Sequence, residues 1–268
     1  MRSLALAVVE RLPVASGPAG GALVVLVHGS MDRASSFAKV LRELNDAHVL
    51  AYDRRGYARS ASAGTPPDTL GGQVDDLLEI LDGRRAVVAG HSFGGDIALA
   101  AAIRAPDQIA AVVAYEPPMP WLPSWPSDSA GNAALLAART GATGMKGGNG
   151  GPGAAAEAFM RRLVGDAVWE HLPPETRAAR RAEGPALLAD MACMHPPAGV
   201  ALDPALVPAP TVLGRGTHSR PHHRANCEHL PSVMPDAVLI DVEGAGHGCH
   251  FSHPAAFAEL VRHAVRRA

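Results

Sequence analysis

Short apolar runs alternate with segments of helical periodicity over the first 116 residues of the chain. The runs are rich in valine, which indicates strands buried on both faces. Between them, apolar residues recur every three or four positions, as in amphipathic helices. This alternation predicts parallel β-α-β units with helices on both faces of one sheet, and Gly83 is expected to end the second helix. The predicted strands cover 22–29, 48–56, 85–90 and 109–116, and the predicted helices cover 35–44, 69–83 and 94–106.

The alternation stops after the fourth of these strands. Residues 117–131 are dense in proline and tryptophan, and 141–153 hold seven glycines in thirteen residues, which favours a mobile loop or hinge over a phosphate-binding loop. We therefore predict one α/β domain, formed by 1–116 and 206–268, that carries a helical cap insertion at 117–205. The remaining predicted helices cover 132–140, 154–164, 175–191, 221–230 and 254–266, and the remaining strands cover 209–216 and 237–244.

Length, composition and charge restrict the class of protein. A chain of 268 residues suits one large domain, and its 47% apolar and 19% charged residues are ordinary for a globular protein. The net charge of −2 offers no basic surface for nucleic acid, and no segment approaches the roughly 20 apolar residues of a membrane span. We interpret the short N-terminal apolar run as an edge strand rather than a signal peptide. Three cysteines do not suggest a disulfide framework, which favours a cytoplasmic location.

The most informative motif lies between a predicted strand and a predicted helix. It reads Gly90-His91-Ser92-Phe93-Gly94, a Gly-x-Ser-x-Gly sequence in a strand–turn–helix context. Such a turn is tight, so the positions two residues on either side of the serine must be small. The helix N-terminus then directs free N–H groups at the reaction centre. A strand–turn–helix with a serine of no special role is the alternative, but context and motif together favour a nucleophile.

Three further motifs occur in an order that resembles the α/β-hydrolase superfamily. "LVHGSMDR" at 26–33 resembles the His-Gly loop after a central strand, "YDRRGYARS" at 52–60 is similar to an Asp-x-Arg-Gly turn, and "EGAGHGCHFSHP" at 243–254 is similar to a Gly-x-Gly-His segment. With the serine motif they span most of the chain. The resemblance implies a mostly parallel, doubly wound α/β sheet of about eight strands, with a cap inserted after the sixth. It does not fix the substrate, because this fold supports many reactions.

The resemblance implies that Ser92 is a nucleophile and that His247 is the base that accepts its proton. His247 is favoured because it lies in a glycine-rich loop after the last predicted strand. Four other histidines compete for this role, and the first two occupy positions that are usually structural in the family: His28, His91, His250 and His253.

Two backbone N–H groups would form an oxyanion hole. By resemblance they belong to Phe93 and Ser30, with Met31 in place of Ser30 if the loop turns one residue later. Because the elbow carries a serine, the epoxide hydrolases and dehalogenases of this superfamily, which use an aspartate nucleophile, are disfavoured.

The acid of the expected triad is missing from its usual place. In the family it lies in the loop after the strand at 209–216, and the corresponding loop, "GRGTHSRP", has no Asp or Glu. Some members take the acid from the end of the strand after the nucleophile helix, where this chain has Glu116. A buried strand rarely ends in a carboxylate without a partner, so we predict that Glu116 completes the triad. Asp96 and Asp32 are its rivals.

The histidine-rich segment and the cap lead to two further predictions. The spacing of the histidines and Cys227 within 218–229 does not fit a four-ligand zinc site, so we interpret this segment as a surface helix and expect no metal and no cofactor. Met31, Trp121 and Trp125 are candidate substrate-binding residues. Other cap residues would line the same pocket or form the core of the cap: Met119, Met145, Met160 and Trp169.

These residues predict a serine hydrolase that cleaves an ester, thioester or related acyl bond of a small hydrophobic molecule through an acyl-serine intermediate. Carbon–carbon bond hydrolysis and cofactor-free haloperoxidase-like chemistry would use the same residues. A ligand-binding protein that has lost catalysis is the alternative from another class, and the missing acid motivates it. The expected partner is a small-molecule substrate, with neither nucleic acid nor membrane, and the oligomeric state stays open.

Overall fold

The structure is a computed structural model that describes residues 6–14, 16–17, 19–122, 125–140, 150–197 and 199–268. Seven strands form one sheet: β1 (Val8–Arg11), β2 (Leu23–Val27), β3 (His48–Tyr52), β4 (Ala86–His91), β5 (Ile109–Tyr115), β6 (Thr211–Gly216) and β7 (Ala237–Val242). Their spatial order is β1-β3-β2-β4-β5-β6-β7, and only β1 pairs antiparallel with its neighbour. Strands β4 and β5 are buried along their whole length, in keeping with their mostly apolar sequences, and β6 is also buried although it contains Arg215.

The predicted class, a mostly parallel α/β sheet with a helical insertion, is confirmed. The described residues contain seven strands rather than about eight. One strand fewer precedes the insertion, because a single edge strand, β1, stands before the central β2. The insertion consequently follows the fifth strand of the described chain and not the sixth.

Eleven helices accompany the sheet in the part of the chain that the structure describes. They are α1 (Ala38–Glu43), α2 (Leu70–Leu81), α3 (Phe93–Arg104), α4 (Ala130–Thr140), α5 (Pro152–Val164), α6 (Asp166–His171), α7 (Pro174–Ala182), α8 (Gly184–Met194), α9 (Pro221–Val233), α10 (Cys249–Ser252) and α11 (Pro254–Val265). The predicted helix at 175–191 is two helices, since Pro185 has no N–H to continue the first one. The short α6 and α10 have no sequence period long enough to predict them. Most of the glycine-rich segment, including Met145, lies outside the described residues.

Helix α2 shows how local sequence sets the ends of an element. Its N-cap is Thr69, whose Oγ1 accepts a hydrogen bond from Gly72 N at 3.2 Å. At the other end the chain turns left-handed one residue earlier than expected, at Asp82 (φ 49°), and continues so at Gly83 (φ 74°). An aspartate tolerates this conformation better than most residues do, so the helix ends before the glycine.

The helices bury the two faces of the sheet in separate apolar layers. On one face, α1 and α11 pack against the strands through side chains such as Val40, Phe257 and Val261. On the other face, α2 and α3 pack through side chains such as Leu77 and Ile97. This is the doubly wound arrangement, in which both faces of a parallel sheet are covered. No helix among the described residues is long and apolar enough to cross a membrane.

The strand register brings several loops to one edge of the sheet. His91 at the end of β4 is paired with Tyr115 at the end of β5, and Tyr115 is paired with Gly214 in β6. Because these strands are parallel, the residues that follow them emerge side by side at the carboxyl edge. Ser92 and Glu116 are therefore neighbours across two strands, although 24 positions separate them in the sequence.

Helices α4 to α8 form the insertion between β5 and β6, and their buried side chains belong to the same apolar cluster as the sheet face covered by α2 and α3. The indole of Trp169 is fully buried there, and its Nε1 donates to Glu157 Oε1 at 3.2 Å. Glu157 also accepts from Arg181 Nε at 2.7 Å and Arg161 Nε at 2.9 Å. One buried carboxylate thus joins α5, α6 and α7 through charge-assisted hydrogen bonds.

A buried ion pair connects the insertion to the sheet domain. Asp190 of α8 accepts two hydrogen bonds from the Arg54 guanidinium, each 2.8 Å long, and a third from Tyr57 Oη at 2.7 Å. Arg54 also donates to the carbonyl oxygens of His28 at 3.0 Å and Gly29 at 3.1 Å. Asp190 therefore holds the loop after β2 against the insertion through one arginine.

We predict that Asp190→Asn destabilises the protein strongly. The side chains of Arg54 and Asp190 are each 1% exposed, so the variant leaves a guanidinium buried without its counter-charge. Removing one partner of such a pair typically costs about 3–5 kcal/mol of unfolding free energy. Urea unfolding followed by circular dichroism measures the loss.

Asp75→Asn is the matched control, because its ion pair with Arg104 is solvent-exposed and such pairs contribute under about 1 kcal/mol. If both variants lost the same small amount of unfolding free energy, the buried pair would contribute no more to stability than the exposed one.

Candidate active site

Ser92 lies in a strained turn between β4 and α3. Its backbone has φ 53° and ψ −129°, a conformation that residues other than glycine rarely adopt. The turn is held by a 2.8 Å hydrogen bond from Ser92 N to Tyr115 O. A Cβ atom at Gly90 would overlap the backbone of Gly94, and one at Gly94 would overlap Val27 O. Both glycines are therefore required for the chain to turn here.

The turn places Ser92 at the start of a helix. Helix α3 begins at Phe93, so the Phe93 N–H has no acceptor inside the helix and is available to a ligand. Ser30, in the loop after β2, lines the same cavity as Ser92 and Phe93. The structure thus brings together the serine and the two residues proposed for the oxyanion hole.

Glu116 lies immediately after β5 and points back toward the loop after β7. Its side chain is fully buried, and its backbone has a left-handed φ of 47°. Oε2 accepts a 2.8 Å hydrogen bond from His247 Nδ1, and Oε1 accepts one of the same length from Gly216 N. With its proton on Nδ1, a neutral His247 carries a lone pair on Nε2 and can act as a base. The carboxylate that contacts His247 therefore comes from the end of β5 and not from the loop after β6.

Aromatic rings cover one face of His247. The ring of His223, in α9, is stacked on it with centroids 4.2 Å apart and planes inclined by 13°. His222 and Trp125 continue this group at centroid distances of 4.2 Å and 5.6 Å from His223. Burial and the nearby His247 lower the pKa of His223 well below its usual value, so His223 is neutral at pH 7. The prediction of a surface helix is wrong for His222 and His223, because the side chains of both residues line the cavity.

His28 fixes the loop that carries Ser30. Its Nδ1 donates to Gly29 O at 2.8 Å, and its Nε2 accepts from Arg54 N at 2.9 Å. Burial, with the nearby Arg54 charge, lowers the pKa of His28 to about 4. A neutral ring with both nitrogens engaged cannot take a proton from Ser92.

His91 and His250 lie behind His247 rather than in the cavity. His91 Nε2 donates to the backbone oxygen of His247 at 2.8 Å, and burial lowers its pKa well below the usual value. His250 Nε2 is 3.2 Å from Asp32 Oδ2, which also accepts from Ser36 Oγ at 3.1 Å. Burial would raise the pKa of Asp32, but the contact with His250 holds it low. Asp32 is therefore directed away from the cavity.

The cavity beside Ser92 has a volume of about 260 Å³ and lies between the sheet edge and the insertion. One part of its wall is apolar and is formed by residues between β5 and β6: Pro118, Pro120, Trp125, Phe159, Leu163, Met191 and Met194. Histidines, serines and Arg220 form another part. Sequence reasoning missed Phe159, Leu163 and the two methionines because helical periodicity does not say which insertion residues face the sheet domain.

Two candidate substrate-binding residues do not reach this cavity. Met31 is only 3% exposed and packs in the apolar core, and its carbonyl oxygen accepts from Arg180 Nη1 at 3.1 Å. Trp121 packs against the same core. Of the three candidates, only Trp125 lines the cavity. The other described cap candidates, Met119, Met160 and Trp169, are buried in the core.

Among the described residues, two groups of side chains have potential metal-ligand atoms within 4.8 Å of one another: Glu116, His223 and His247, and Asp32, His91 and His250. In the first group the His223 and His247 rings are stacked nearly parallel. A metal ion binds imidazole along the lone pair in the ring plane, and two stacked rings cannot both direct that lone pair at one ion. The first group therefore suits hydrogen bonding better than metal binding, and the absence of a metal stays a prediction.

Asp96, the nearest rival of Glu116 in sequence, is isolated from the cavity. It is 1% exposed, and neither carboxylate oxygen has a hydrogen-bond partner among the described residues. Burial raises the pKa of Asp96 well above its usual value. A carboxyl group without contact to any histidine cannot support a catalytic base.

The fold and the site together define a class. A parallel sheet with a strained serine turn after β4 and a paired histidine in the loop after its last strand is the architecture of an α/β hydrolase. The sequence profile of the Alpha/beta hydrolase family matches residues 24–260. The chain therefore belongs to the Alpha/beta hydrolase family, as the resemblance implied.

Individual relatives share only part of their length with the chain. Lipase LipV of Mycobacterium tuberculosis is 36% identical over 104 residues, which are 38% of this chain and 39% of that protein. The uncharacterized hydrolase YugF of Bacillus subtilis is 36% identical over 98 residues, 35% of this chain and 36% of that protein. The chain thus spans under two fifths of the length of these relatives. A thermophilic esterase from Thermogutta terrifontis has the same fold, with a TM-score of 0.71 and 22% identity over 97% of this chain and 93% of that one.

We predict that Asp96→Asn stabilises the protein at alkaline pH. In the unfolded chain this carboxyl titrates near pH 3.9, roughly. In the folded protein its pKa is raised, so unfolding releases a proton above pH 4 and the wild type loses stability as the pH rises. The amide has no such cost. The gain in unfolding free energy should be on the order of 1–3 kcal/mol at pH 8 and should shrink toward zero near pH 4.

Urea unfolding of both proteins at several pH values between 4 and 8 measures this difference, in which the titration of all other groups cancels. A gain that is independent of pH, or a loss at pH 8, would contradict a raised pKa at Asp96.

Proposed function

We propose that this chain is a serine hydrolase that cleaves an ester, thioester or related acyl bond of a small molecule through an acyl-Ser92 intermediate. The observation that carries the proposal is the 2.8 Å hydrogen bond between His247 Nδ1 and Glu116 Oε2 at the edge of the sheet where Ser92 lies. A histidine oriented by a buried carboxylate, beside a strained serine, is what nucleophilic catalysis by a hydroxyl requires.

In the first half of the reaction, Ser92 Oγ attacks the carbonyl carbon while His247 Nε2 takes the hydroxyl proton. The carbonyl oxygen gains a negative charge, which the N–H groups of Phe93 and Ser30 stabilise. The intermediate then collapses, the bond to the alcohol or thiol breaks, and the His247 proton passes to the leaving group. Ser92 is left as an acyl ester.

In the second half, a water molecule gives a proton to His247 Nε2 and attacks the acyl carbon. Collapse of the second intermediate returns the proton to Ser92 Oγ and releases the acid. Glu116 accepts the hydrogen bond from His247 Nδ1 throughout and stabilises the imidazolium that forms twice in each cycle. Its second oxygen accepts from Gly216 N, so the carboxylate cannot rotate away from His247.

The surroundings of His247 support this role. The stacked His223 has a strongly lowered pKa and stays neutral, so it adds no positive charge beside the imidazolium. A neutral aromatic face next to a cation is weakly attractive. The 2.8 Å hydrogen bond from His91 Nε2 to His247 O fixes the backbone of the same loop.

Residues 117–205 act as the cap in this proposal. Trp125, Phe159 and Leu163, with the methionines of α8, give the cavity an apolar wall that suits a hydrophobic or aromatic substrate body. Trp125 is the substrate-binding candidate from the sequence that also lines the cavity. Met31 and Trp121 are not proposed for this role.

Ser92 should be the residue that a fluorophosphonate probe labels, because the elbow presents its hydroxyl to the cavity that His247 also lines. Mass spectrometry of the labelled peptides identifies the site. Ser92→Ala should abolish labelling while circular dichroism stays that of the wild type.

Ser219→Ala is the matched control, since Ser219 lines the same cavity and its Oγ has no partner among the described residues. This variant should label normally. If the probe labelled another serine and left Ser92 unmodified, Ser92 would not be the nucleophile.

Glu116→Gln should lower kcat by roughly 10²–10⁴ with a smaller effect on KM, as expected for an interaction made mainly in the transition state. An amide that keeps the bond from Gly216 N presents its NH2 to His247 Nδ1. It thereby favours the tautomer whose proton sits on Nε2, where the base is needed. Steady-state kinetics on a p-nitrophenyl ester measure the loss, and Glu116→Asp, which keeps the charge but shortens the reach, should be intermediate.

Asp96→Asn is the control for removal of a buried carboxylate near Ser92. Both Asp96→Asn and Asp32→Asn should lower kcat much less than Glu116→Gln does. If a folded Glu116→Gln variant turned over at nearly the wild-type rate, the enzyme would work with Ser92 and His247 alone or with another acid.

A further inference from the structure

The wall of the cavity carries positive charge and no negative charge. Five histidines and one arginine line it, and none of its lining residues is an Asp or Glu: His195, His218, His222, His223, His247 and Arg220. The segments outside the described residues contain no Asp or Glu either. Because the whole chain has 26 acidic and 24 basic residues, this composition is a local feature and does not follow from the net charge.

Arg220 is an exposed residue that lines the cavity and contacts the insertion. It is the residue before α9, and its Nη2 donates to the backbone oxygen of Arg162 in α5 at 3.0 Å. One nitrogen of the guanidinium is thus fixed to the cap, while the residue itself lines the cavity. A side chain held in this way loses less conformational entropy when it binds a ligand.

The arginines of α5 and α7 differ from Arg220 in their partners. Each of five arginines on α5 and α7 forms an ion pair with a carboxylate: Arg161, Arg162, Arg177, Arg180 and Arg181. Arg220 has no carboxylate within ion-pair distance among the described residues. Arginine at the wall of a cavity usually pairs with an anion, and here the chain supplies none.

Two carboxylates that act on the neighbouring His222 have other partners. Glu116 accepts from His247 and Gly216 N behind the wall, so its charge is already compensated when His247 is protonated. Asp128 is paired with Arg162 and exposed to solvent. Neither lines the cavity.

The positive charge of Arg220 contributes to the lowered pKa values of the neighbouring His222 and His223. Burial lowers the pKa of His222, and Arg220 is the next largest cause; Arg220 also contributes at His223, after burial and the other histidines. The two rings are therefore neutral near pH 7 and offer N–H donors, and Arg220 supplies the full positive charge.

We propose that the substrate of this site carries a carboxylate in addition to its scissile acyl bond, and that Arg220 binds that carboxylate at the cavity entrance. The proposal rests on the proposed function and adds the substrate class to it: an acyl compound with an apolar body and an anionic end. The apolar cap wall accommodates the body, and the planar guanidinium matches a carboxylate with two parallel N–H donors.

Two pairs of esters test the proposal, because the carboxylate can lie on either side of the scissile bond. The first pair is mono-p-nitrophenyl adipate and p-nitrophenyl hexanoate, which differ only in a carboxylate or methyl at the end of the acyl chain. The second pair is the hexanoyl ester of 4-hydroxybenzoate and that of its methyl ester. The measured quantity is the ratio of kcat/KM for the carboxylate substrate to that for its neutral partner.

Arg220→Gln should lower this ratio about tenfold for at least one pair, the loss expected for one charge-assisted contact that is partly open to solvent. Arg224→Gln is the matched control, since it makes the same charge change four residues further along the chain, in α9, but does not line the cavity. It should change the ratio less than twofold. In the wild type, raising the salt concentration from about 0.05 to 0.5 M should lower the ratio, as screening predicts.

An unchanged ratio in Arg220→Gln for both pairs would overturn the proposal, and so would equal losses in the two arginine variants. Absence of hydrolysis with all four esters would instead count against the proposed function. In that case, calorimetry of the Ser92→Ala protein with adipamate and with uncharged adipamide still tests anion binding. Tighter binding of adipamate that Arg220→Gln removes would support the anion site, and equal binding of the two compounds would overturn it.

Discussion

The site depends on one buried carboxylate that joins three segments of the chain. Glu116 follows β5, accepts from Gly216 N at the end of β6, and accepts from His247 Nδ1 in the loop after β7, with 2.8 Å for each contact. Its left-handed backbone, φ 47°, turns the side chain toward these partners. A fully buried carboxylate is costly unless it is hydrogen-bonded, so these two contacts are also what makes its position tolerable. The same interaction that orients the histidine therefore holds the sheet edge together.

A second constraint is that burial keeps several histidines near Ser92 uncharged. Burial lowers the pKa of His28, His91 and His223, so three rings close to the site stay neutral at pH 7. They serve as hydrogen-bond and stacking partners that place the loops around His247. His247 differs from these three histidines in two respects. Its Nδ1 is hydrogen-bonded to a carboxylate, and its ring borders the cavity.

The insertion and the sheet domain are coupled at the loop that carries Ser30. Arg54 binds the carbonyl oxygens of His28 and Gly29 on one side and Asp190 of α8 on the other. Asp190 is completely buried, so its attraction to Arg54 acts in a medium of low dielectric constant. A shift of α8 would therefore be transmitted to the peptide group beside Ser30. The turn "YDRRGYARS" is thus a structural link between the two parts of the chain.

The amino-acid sequence by itself determined the fold class and the position of the serine turn. Buried runs of β-branched residues, alternating with amphipathic segments, are sufficient for a parallel α/β sheet, and Gly90 and Gly94 leave room only for a tight turn at Ser92. These features are local, since each depends on residues close together in the sequence.

Only the tertiary structure decided which side chains meet. Strand register put Glu116 within hydrogen-bonding distance of His247, which is 131 positions away, whereas Asp96 in α3 has no hydrogen-bond partner among the described residues. The rotation of α9 turned His222 and His223 into the cavity, and the packing of the insertion brought Phe159 there while Met31 and Trp121 stayed in the core. Periodicity gives the faces of a helix, but which face a neighbour covers depends on contacts between distant segments.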